Sequence, residues 1–334
     1  MSVKQFLKPW CATKMIGTIS LSEIKEIIEK NSVEQLIKII EEGFVLYAQK
    51  KVTVPPVGYL SFRSPPGGVH IKYGYIHDDE HYVIKIASGF YENPSLGLSS
   101  SNGMMLLFSQ KTGETLSILL DEGYLTDIRT AVAGAVAAKY LAPSNITRIG
   151  IVGTGAQARL QLQYLRTVTK CREVMVWGRS SDKLELFKND YSLKDFNISV
   201  TTDIKNLARE CNLIVTTTAS KTALLAANDI LPGTHITAVG ADAEGKQEID
   251  PLLIAKADLL VADSIEQCID HGDFGYAVRS KLIGPRKIAA LGDVIAHKNL
   301  CRSNNHQISI ADLTGVAIQD IQIAKYVYLK YRGE

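Results

Sequence analysis

A chain of 334 residues is long enough for about two domains of roughly 150 residues each, and 46% hydrophobic against 22% charged residues is the balance of a soluble globular protein with a large core. Its 37 basic and 35 acidic residues leave a net charge of +2, which gives no support for nucleic acid or an anionic membrane as the main partner. No apolar run approaches the roughly 20 residues of a membrane helix, and "MSVKQFLKPWCATKM" has no apolar h-region or small-residue cleavage site, so no signal peptide is expected.

Two helix starts with capping-box spacing open the chain, Ser20 with Glu23 and Ser32 with Gln35. The second leads "VEQLIKIIEEGFVLYAQ", whose apolar residues recur at helical spacing. Residues 52–120 change pattern. Short β-rich runs such as "HYVIKIASGF", "GMMLLFSQ" and "TLSILLD" are separated by turn residues, with "QKTGET" as a hairpin turn, and a mostly antiparallel sheet is expected. "HDDEH", with His77 and His81, has the look of a metal cluster. It reads better as a solvated hairpin turn, because zinc needs a third protein ligand that the stretch does not clearly specify, and no metal site is expected. An alanine-rich helix, "TDIRTAVAGAVAAKYLA", follows, and Pro143 ends it. Strands and helices then alternate. The strands "RIGIVG", "EVMVWG", "ISVTTD", "NLIVTTT", "HITAVGA", "DLLVADS" and "ISIADLTG" are continuous apolar runs of the kind that suit a parallel sheet covered on both faces. The last helix, from about residue 316 to 331, is expected to return to the first region. The cysteines Cys11, Cys171, Cys211, Cys268 and Cys301 are odd in number and form no C-x-x-C pair, so reduced thiols and a cytoplasmic location are expected.

Within "RIGIVGTGAQARLQLQYL", Gly153, Gly155 and Ala158 match G-x-G-x-x-G/A after a strand and at the start of a helix, which is the context a dinucleotide fingerprint requires. Gly153 permits the tight turn, Gly155 lets the backbone approach a pyrophosphate, and Ala158 allows close helix–strand packing. Free N–H groups at the helix start then face the anion. Gly153, Thr154, Gly155, Ala156 and Gln157 are therefore assigned to the cofactor; the alternative is a tight turn with no ligand. The end of the second strand, where an acid would favour NAD, instead reads Trp177, Gly178, Arg179, Ser180. Arg179 and Ser180 suit a 2′-phosphate, which favours NADP(H) over NAD(H). The alternative is a solvated Arg179 and use of both cofactors.

Taken together, "VIKIASGFYENPSLGLSSSNGMMLLF", "LTDIRTAVAGAVAAKYLA", "IGIVGTGAQA", "VGADAEGKQEID" and "DLTGVAIQD" resemble the ornithine cyclodeaminase/mu-crystallin family, over about residues 55–325. Within it, the motifs look closest to the ectoine-utilisation cyclodeaminase branch and to iminosuccinate reductases. The resemblance implies an α/β fold: a Rossmann dinucleotide-binding domain at 129–315, and an α+β substrate-binding and dimerisation domain at 1–128 with 316–334. It also implies a homodimer formed through the substrate-domain sheets. The implied chemistry is hydride transfer at the Cα–N bond of an amino or imino acid. Imino-acid reduction, of a ketimine or iminosuccinate, is the first reading. An ornithine-type cyclodeaminase releasing ammonia, and a non-enzymatic NADP-dependent thyroid-hormone-binding or crystallin-like protein, are the alternatives.

The same resemblance assigns Lys85 and Arg129 to the substrate carboxylate, Lys85 also to catalysis, and Asp242 to acid–base catalysis. From the residues alone, Lys85 could face solvent on an alternating strand, Arg129 could lie on a helix surface, and Asp242 could be a helix cap or turn residue. Partial burial is expected to raise the pKa of Asp242. Thr314 and Gly315 match a nicotinamide-side loop, Asn102 (with Ser100 and Ser101) a substrate-facing loop, and Thr217 and Thr218, within 216–220, pass near the cofactor. A further family arginine is missing at Gly58 or Tyr59. His70 and Lys72, which alternate onto one strand face, or Arg63, are the candidates to replace its charge; an exposed strand face is the alternative.

Overall fold

The computed structural model describes residues 16–90 and 92–334; Cys11 and the opening segment read for a signal peptide lie outside the described residues. Ser20 starts α1 (Leu21–Lys30) with a full capping box, and Ser32 starts α2 (Val33–Ala48). The second box is half-formed: Ser32 accepts from the Gln35 N–H, but the Gln35 side chain instead accepts from the Tyr326 hydroxyl.

The turn-rich first third makes the strands β1 (Gly17–Ile19), β2 (Val52–Thr53), β3 (Gly58–Arg63), β4 (Pro66–Ile76), β5 (His81–Phe90), β6 (Ser101–Ser109) and β7 (Thr115–Leu119). They form one sheet in the order β1-β7-β6-β5-β4-β2, with β3 also on β4. Every pair but β1–β7 is antiparallel. Direct partners across an antiparallel pair share a face. Lys72, Lys85 and Met105 are such partners and point to the covered face, whereas Val69, Ser88 and Asn102 point to the other.

The helix α3 (Tyr124–Leu141) is buried along most of its length and stops just before Pro143. After it come β8 (Ile149–Val152), α4 (Ala156–Leu165), β9 (Glu173–Trp177), α5 (Ser181–Lys188), β10 (Asn197–Thr201), α6 (Ile204–Glu210), β11 (Leu213–Thr216), β12 (Lys221–Leu225) and β13 (His235–Ala238). Then follow β14 (Gln247–Ile249), α7 (Pro251–Lys256), β15 (Leu259–Ala262), α8 (Ile265–Asp270), α9 (Asp273–Arg279), β16 (Ile288–Ala290), α10 (Leu291–Ala296), β17 (Ser309–Asp312) and α11 (Ala317–Tyr331). Eight of these strands form a parallel sheet ordered β10-β9-β8-β11-β13-β17-β15-β16. The order reverses between β8 and β11, the switch point where ligands of open α/β sheets bind. The chain is thus α/β, with a Rossmann unit and a second sheet. All seven expected parallel strands are present; β12, β14 and β16 were not anticipated, being short runs among polar turns.

As expected, α11 returns to the first sheet and packs on α2, α3, β4 and β5. Its apolar side chains Ile318, Ile321, Ile323 and Val327 are buried, and truncating one to alanine would cost about 2–5 kcal/mol. This helix closes the covered face of the sheet over Lys85.

Candidate active site

Gly153 has φ +124°, a backbone that side chains rarely adopt, and a Cβ there would lie 2.6 Å from the Thr217 hydroxyl. Its N–H donates to Trp177 O, and Thr217 donates from both N and Oγ1 to Val152 O. Gly155 caps α4 and has nothing within 4 Å of where its Cβ would stand. That leaves room for an anion against the free N–H groups of the first helical turn. The turn is braced from outside: Arg159 donates to Thr154 O at 2.6 Å and to Gly155 O, and pairs with Asp190. Ala156 opens the helix. The Gln157 side chain is turned away, donating to Asp127 O and Oδ1, so it offers a ligand its backbone rather than its amide. At the end of β9, Arg179 is exposed, while the Ser180 hydroxyl accepts from Lys183 N as the cap of α5. The turn therefore fits a dinucleotide pyrophosphate, and Arg179 stands beyond the end of the neighbouring strand β9.

Buried Glu248 joins the ends of two central strands. It accepts from Thr218 N at 2.6 Å, Thr216 Oγ1 at 2.7 Å and Gly240 N at 2.8 Å. Burial, with the Asp273 charge, pushes its carboxyl up to about 7 against those hydrogen bonds. Asp263 does the same for the next loop, accepting from Thr314 N, Thr314 Oγ1 and Gly315 N.

Against that loop lies a cluster of buried charge. Lys85 Nζ donates to Asp320 Oδ1 at 2.9 Å, and Arg129 Nε lies 3.1 Å from the same oxygen. Arg129 Nη1 donates to Gln319 Oε1. Gly315, at φ +82°, presses on the guanidinium: a Cβ there would be 2.7 Å from Nη1. Lys72 donates to Gly315 O at 2.5 Å and Thr314 O at 3.4 Å. The structure thus brings Lys72, Lys85, Arg129, Thr314 and Gly315 into one chain of contacts. Lys85 and Arg129 are 2% and 6% exposed, so neither faces solvent. Burial, followed by Arg129 and Lys72, pulls the Lys85 ammonium down to about 7 although Asp320 opposes it.

Tyr59, His70, Lys72, Asp242 and Asp263 line part of a cavity of about 1100 Å³. Of the two candidates for the missing arginine, Tyr59 holds the position facing it. Tyr59 stacks on its strand partner His70, whereas Gly58 pairs with Ile71 on the other face. Asp242 is open to the cavity, with 46% of its side chain exposed, and Lys246 donates to it at 2.6 Å. The expected rise in its pKa is not found. Burial acts upward, but the charge and hydrogen bond of Lys246, with Lys72 and His70, outweigh it and hold the carboxyl below its usual value.

Three other expectations change. Burial and neighbouring Lys72 pull His70 down to about 4, so it is neutral near pH 7 and supplies no charge. Arg63 is exposed at the end of β3, about 13 Å along the strand from Tyr59 at roughly 3.3 Å per residue. Asn102 lies on the sheet face opposite Lys85, and its Oδ1 accepts from the neighbouring Gly103 N–H. The register, invisible to spacing in a loop-flanked run, decides this. Residues 77–80 do form the turn between β4 and β5, with His77 on Thr53 and His81 beside Asp79. Asp320, Gln319, Asp263 and Glu248 were missed. For Asp320 there was a signal: an acid flanked by Ala317, Ile318, Ile321 and Ile323 in the apolar first turns of a helix, where an unpaired charge is rarely buried.

The chain belongs to the ornithine cyclodeaminase/mu-crystallin family, whose model matches residues 19–334. It is 35% identical to an alanine dehydrogenase of Archaeoglobus fulgidus, over 93% of each chain. It is 30% identical to an iminosuccinate reductase of Paracoccus denitrificans, over 92% of this chain and 96% of that one. The solved structure of a Thermococcus litoralis Delta(1)-pyrroline-2-carboxylate reductase, in complex with NADH and L-proline, superposes with a TM-score of 0.87 at 28% identity, covering 94% and 97% of the two chains.

Proposed function

We propose that this chain is an NAD(P)-dependent reductase of a monocarboxylate imino acid. The observation that carries this reading is that Lys72 and Asp263, which line the cavity exposing Asp242, both bond the loop of Thr314 and Gly315 against which the buried Lys85 and Arg129 cluster lies. Arg129 offers a planar fork and Lys85 a point charge for one carboxylate. Asp242, kept ionised by Lys246, pairs with the positive charge of a protonated imine and so favours its electrophilic form. In the oxidative direction the same carboxylate accepts a proton from the amine. Gly153, Thr154, Gly155 and the start of α4 would hold the dinucleotide, with Thr217, Thr218, Thr314 and Gly315 along its nicotinamide half. The bound nicotinamide supplies the hydride that adds to the imine carbon. A relative that reduces a cyclic imino acid, and another that is an alanine dehydrogenase, support chemistry at the Cα–N bond.

A second carboxylate on the substrate is poorly provided for. His70 is neutral, Arg63 is remote, Lys72 is bound to two carbonyls, and the cavity wall adds Glu244 and Glu266. For the cofactor, Arg179 without an acid beside it supports NADP(H) over NAD(H). We further propose a homodimer through the outer sheet face, where Tyr73, Tyr75 and Met104 are exposed around the stacked Tyr82 and Phe108. The division at 129 and 315 into cofactor and substrate domains and a cytoplasmic location belong to the same proposal.

The test is oxidation of NADPH and NADH by the purified chain with three imines: pyruvate plus ammonium, oxaloacetate plus ammonium, and Δ1-pyrroline-2-carboxylate. Turnover of a monocarboxylate imine is expected to exceed that of the oxaloacetate-derived one. No oxidation with any of them would overturn this reading, and ammonia released from ornithine without net nucleotide change would replace it with cyclodeamination.

A further inference from the structure

Lys85 and Arg129 share one counter-ion that comes from neither of their own elements. Asp320 stands on α11, 235 residues from Lys85, and is 1% exposed. One of its oxygens takes both cations, while the other, Oδ2, is buried without a hydrogen-bond partner. It sits five positions after Gly315, so the helix that carries it begins at the loop pressed against Arg129. Of the carboxylates around the two cations, Asp320 is the one in ion-pair contact with both. Without Asp320, two like charges would be buried side by side with Lys72 close by, and the lysine would be the one to lose its proton. Arginine keeps its charge at any accessible pH.

We infer that Asp320 is a positioning residue for the substrate carboxylate: it favours the ammonium form of Lys85 and fixes the spacing of Lys85 and Arg129. This rests on the reading that those two residues hold the carboxylate. The titratable and charged groups facing Lys85 are Asp320 of α11, Arg129 and Asp127 of α3, Lys72 and the neutral His70 of β4, and Asp121 before α3. Among them, Asp320 has the largest influence favouring the ammonium, so its loss moves Lys85 toward the neutral amine.

Selective labelling of lysine with 13C at Cε follows Lys85 directly, with Lys85→Arg identifying its signal. In Asp320→Asn, Lys85 is expected to titrate about one pH unit lower or more, the scale of losing a neighbouring opposite charge. The KM for the imino acid should rise about tenfold at pH 7.5, as one such unit implies, with the nucleotide KM unchanged. Equal Lys85 midpoints in the two proteins would overturn the proposal. Where Asp320→Asn does not fold, Asp320→Glu decides. It keeps the charge but moves it by a methylene, so a native Lys85 midpoint with a raised imino-acid KM is expected, and a native KM overturns the proposal. Lys85→Met separates the two readings. If it loses imino-acid binding while Asp320→Asn behaves as the native chain, Asp320 alone is removed. If it binds natively, the carboxylate reading of the site falls, and the proposal with it.

Discussion

The rim of the parallel sheet and the covered face of the antiparallel sheet prepare the site in different ways. At the rim, backbone does the work. Gly153 and Gly155 are there for what they lack, and buried acids such as Glu248 and Asp263 hold strand ends and loop N–H groups in place. On the antiparallel sheet, side chains do it. Lys72 and Lys85 are direct partners across β4 and β5, and Asp320, on a helix from the far end of the chain, pairs with Lys85 and Arg129. The glycine turn itself is local, running from Gly153 to Ala158. The second arrangement exists only when the fold is complete. A backbone site fails through sterics, and a side-chain site fails through charge and protonation.

Four substitutions test whether that contrast holds, beginning with the largest expected effect. Asp242→Asn should lower turnover by roughly 100-fold or more, the scale of a lost acid–base or charge-pairing group. Nucleotide binding should be unchanged, because Asp242 meets Lys246 and the cavity rather than the glycine turn. Saturating steady-state rates beside fluorescence titration of NADPH would show this; near-native turnover removes Asp242 from the chemistry. Gly153→Ala tests the backbone side. A φ of +124° and a contact of 2.6 Å with a hydroxyl that is itself bonded to Val152 O leave a methyl group no place. The strain should be about 1–3 kcal/mol, seen as a lower Tm and weaker nucleotide binding. Full affinity in this variant would mean that the turn does not carry the dinucleotide.

Arg179→Asp is a smaller change at the same rim. Arg179 is exposed, so the fold should be indifferent to it. Loss of a cation and gain of repulsion should raise the KM for NADPH by about tenfold, since charge-assisted hydrogen bonds are worth roughly 1.5–3 kcal/mol. NADH should be little affected. Equal changes for both nucleotides would break the proposed 2′-phosphate contact.

The same contrast explains what could be read from the amino-acid sequence. The parallel strands were legible because each is a continuous apolar run, and the glycine turn because its requirement is local. Lys85 was ambiguous, because an alternating strand has two faces and the sequence does not say which is covered. The structure decides it through α11, which packs on β5. Asp320 was passed over even though it lies in a quoted motif, since nothing in a helix states which distant lysine it will meet. The pKa of Asp242 could not be read either. Its sign depends on Lys246, four residues on in a loop, whose ammonium turns inward to it.

Lys72 carries the smallest effect, and it distinguishes two roles on the antiparallel sheet. If Lys72 were a cation waiting for a distal carboxylate, Lys72→Ala would harm a dicarboxylate imine and spare a monocarboxylate one. The geometry gives it another part. Its ammonium donates to Gly315 O and Thr314 O, tying β4 to the loop that presses on Arg129. Burial and the Arg129 charge hold its pKa below the usual lysine value, while its hydrogen bonds are committed to neutral carbonyls. Lys72→Ala removes hydrogen bonds from a charged donor, each worth about 1.5–3 kcal/mol. Part of that should be recovered by water, because the side chain is half-buried at the cavity wall. The expected result is a loss of kcat/KM of about fivefold to tenfold, roughly 1–1.4 kcal/mol, the same for imines of pyruvate and of oxaloacetate. A loss confined to the oxaloacetate-derived imine would make Lys72 the second carboxylate's partner and place the substrate in the dicarboxylate class.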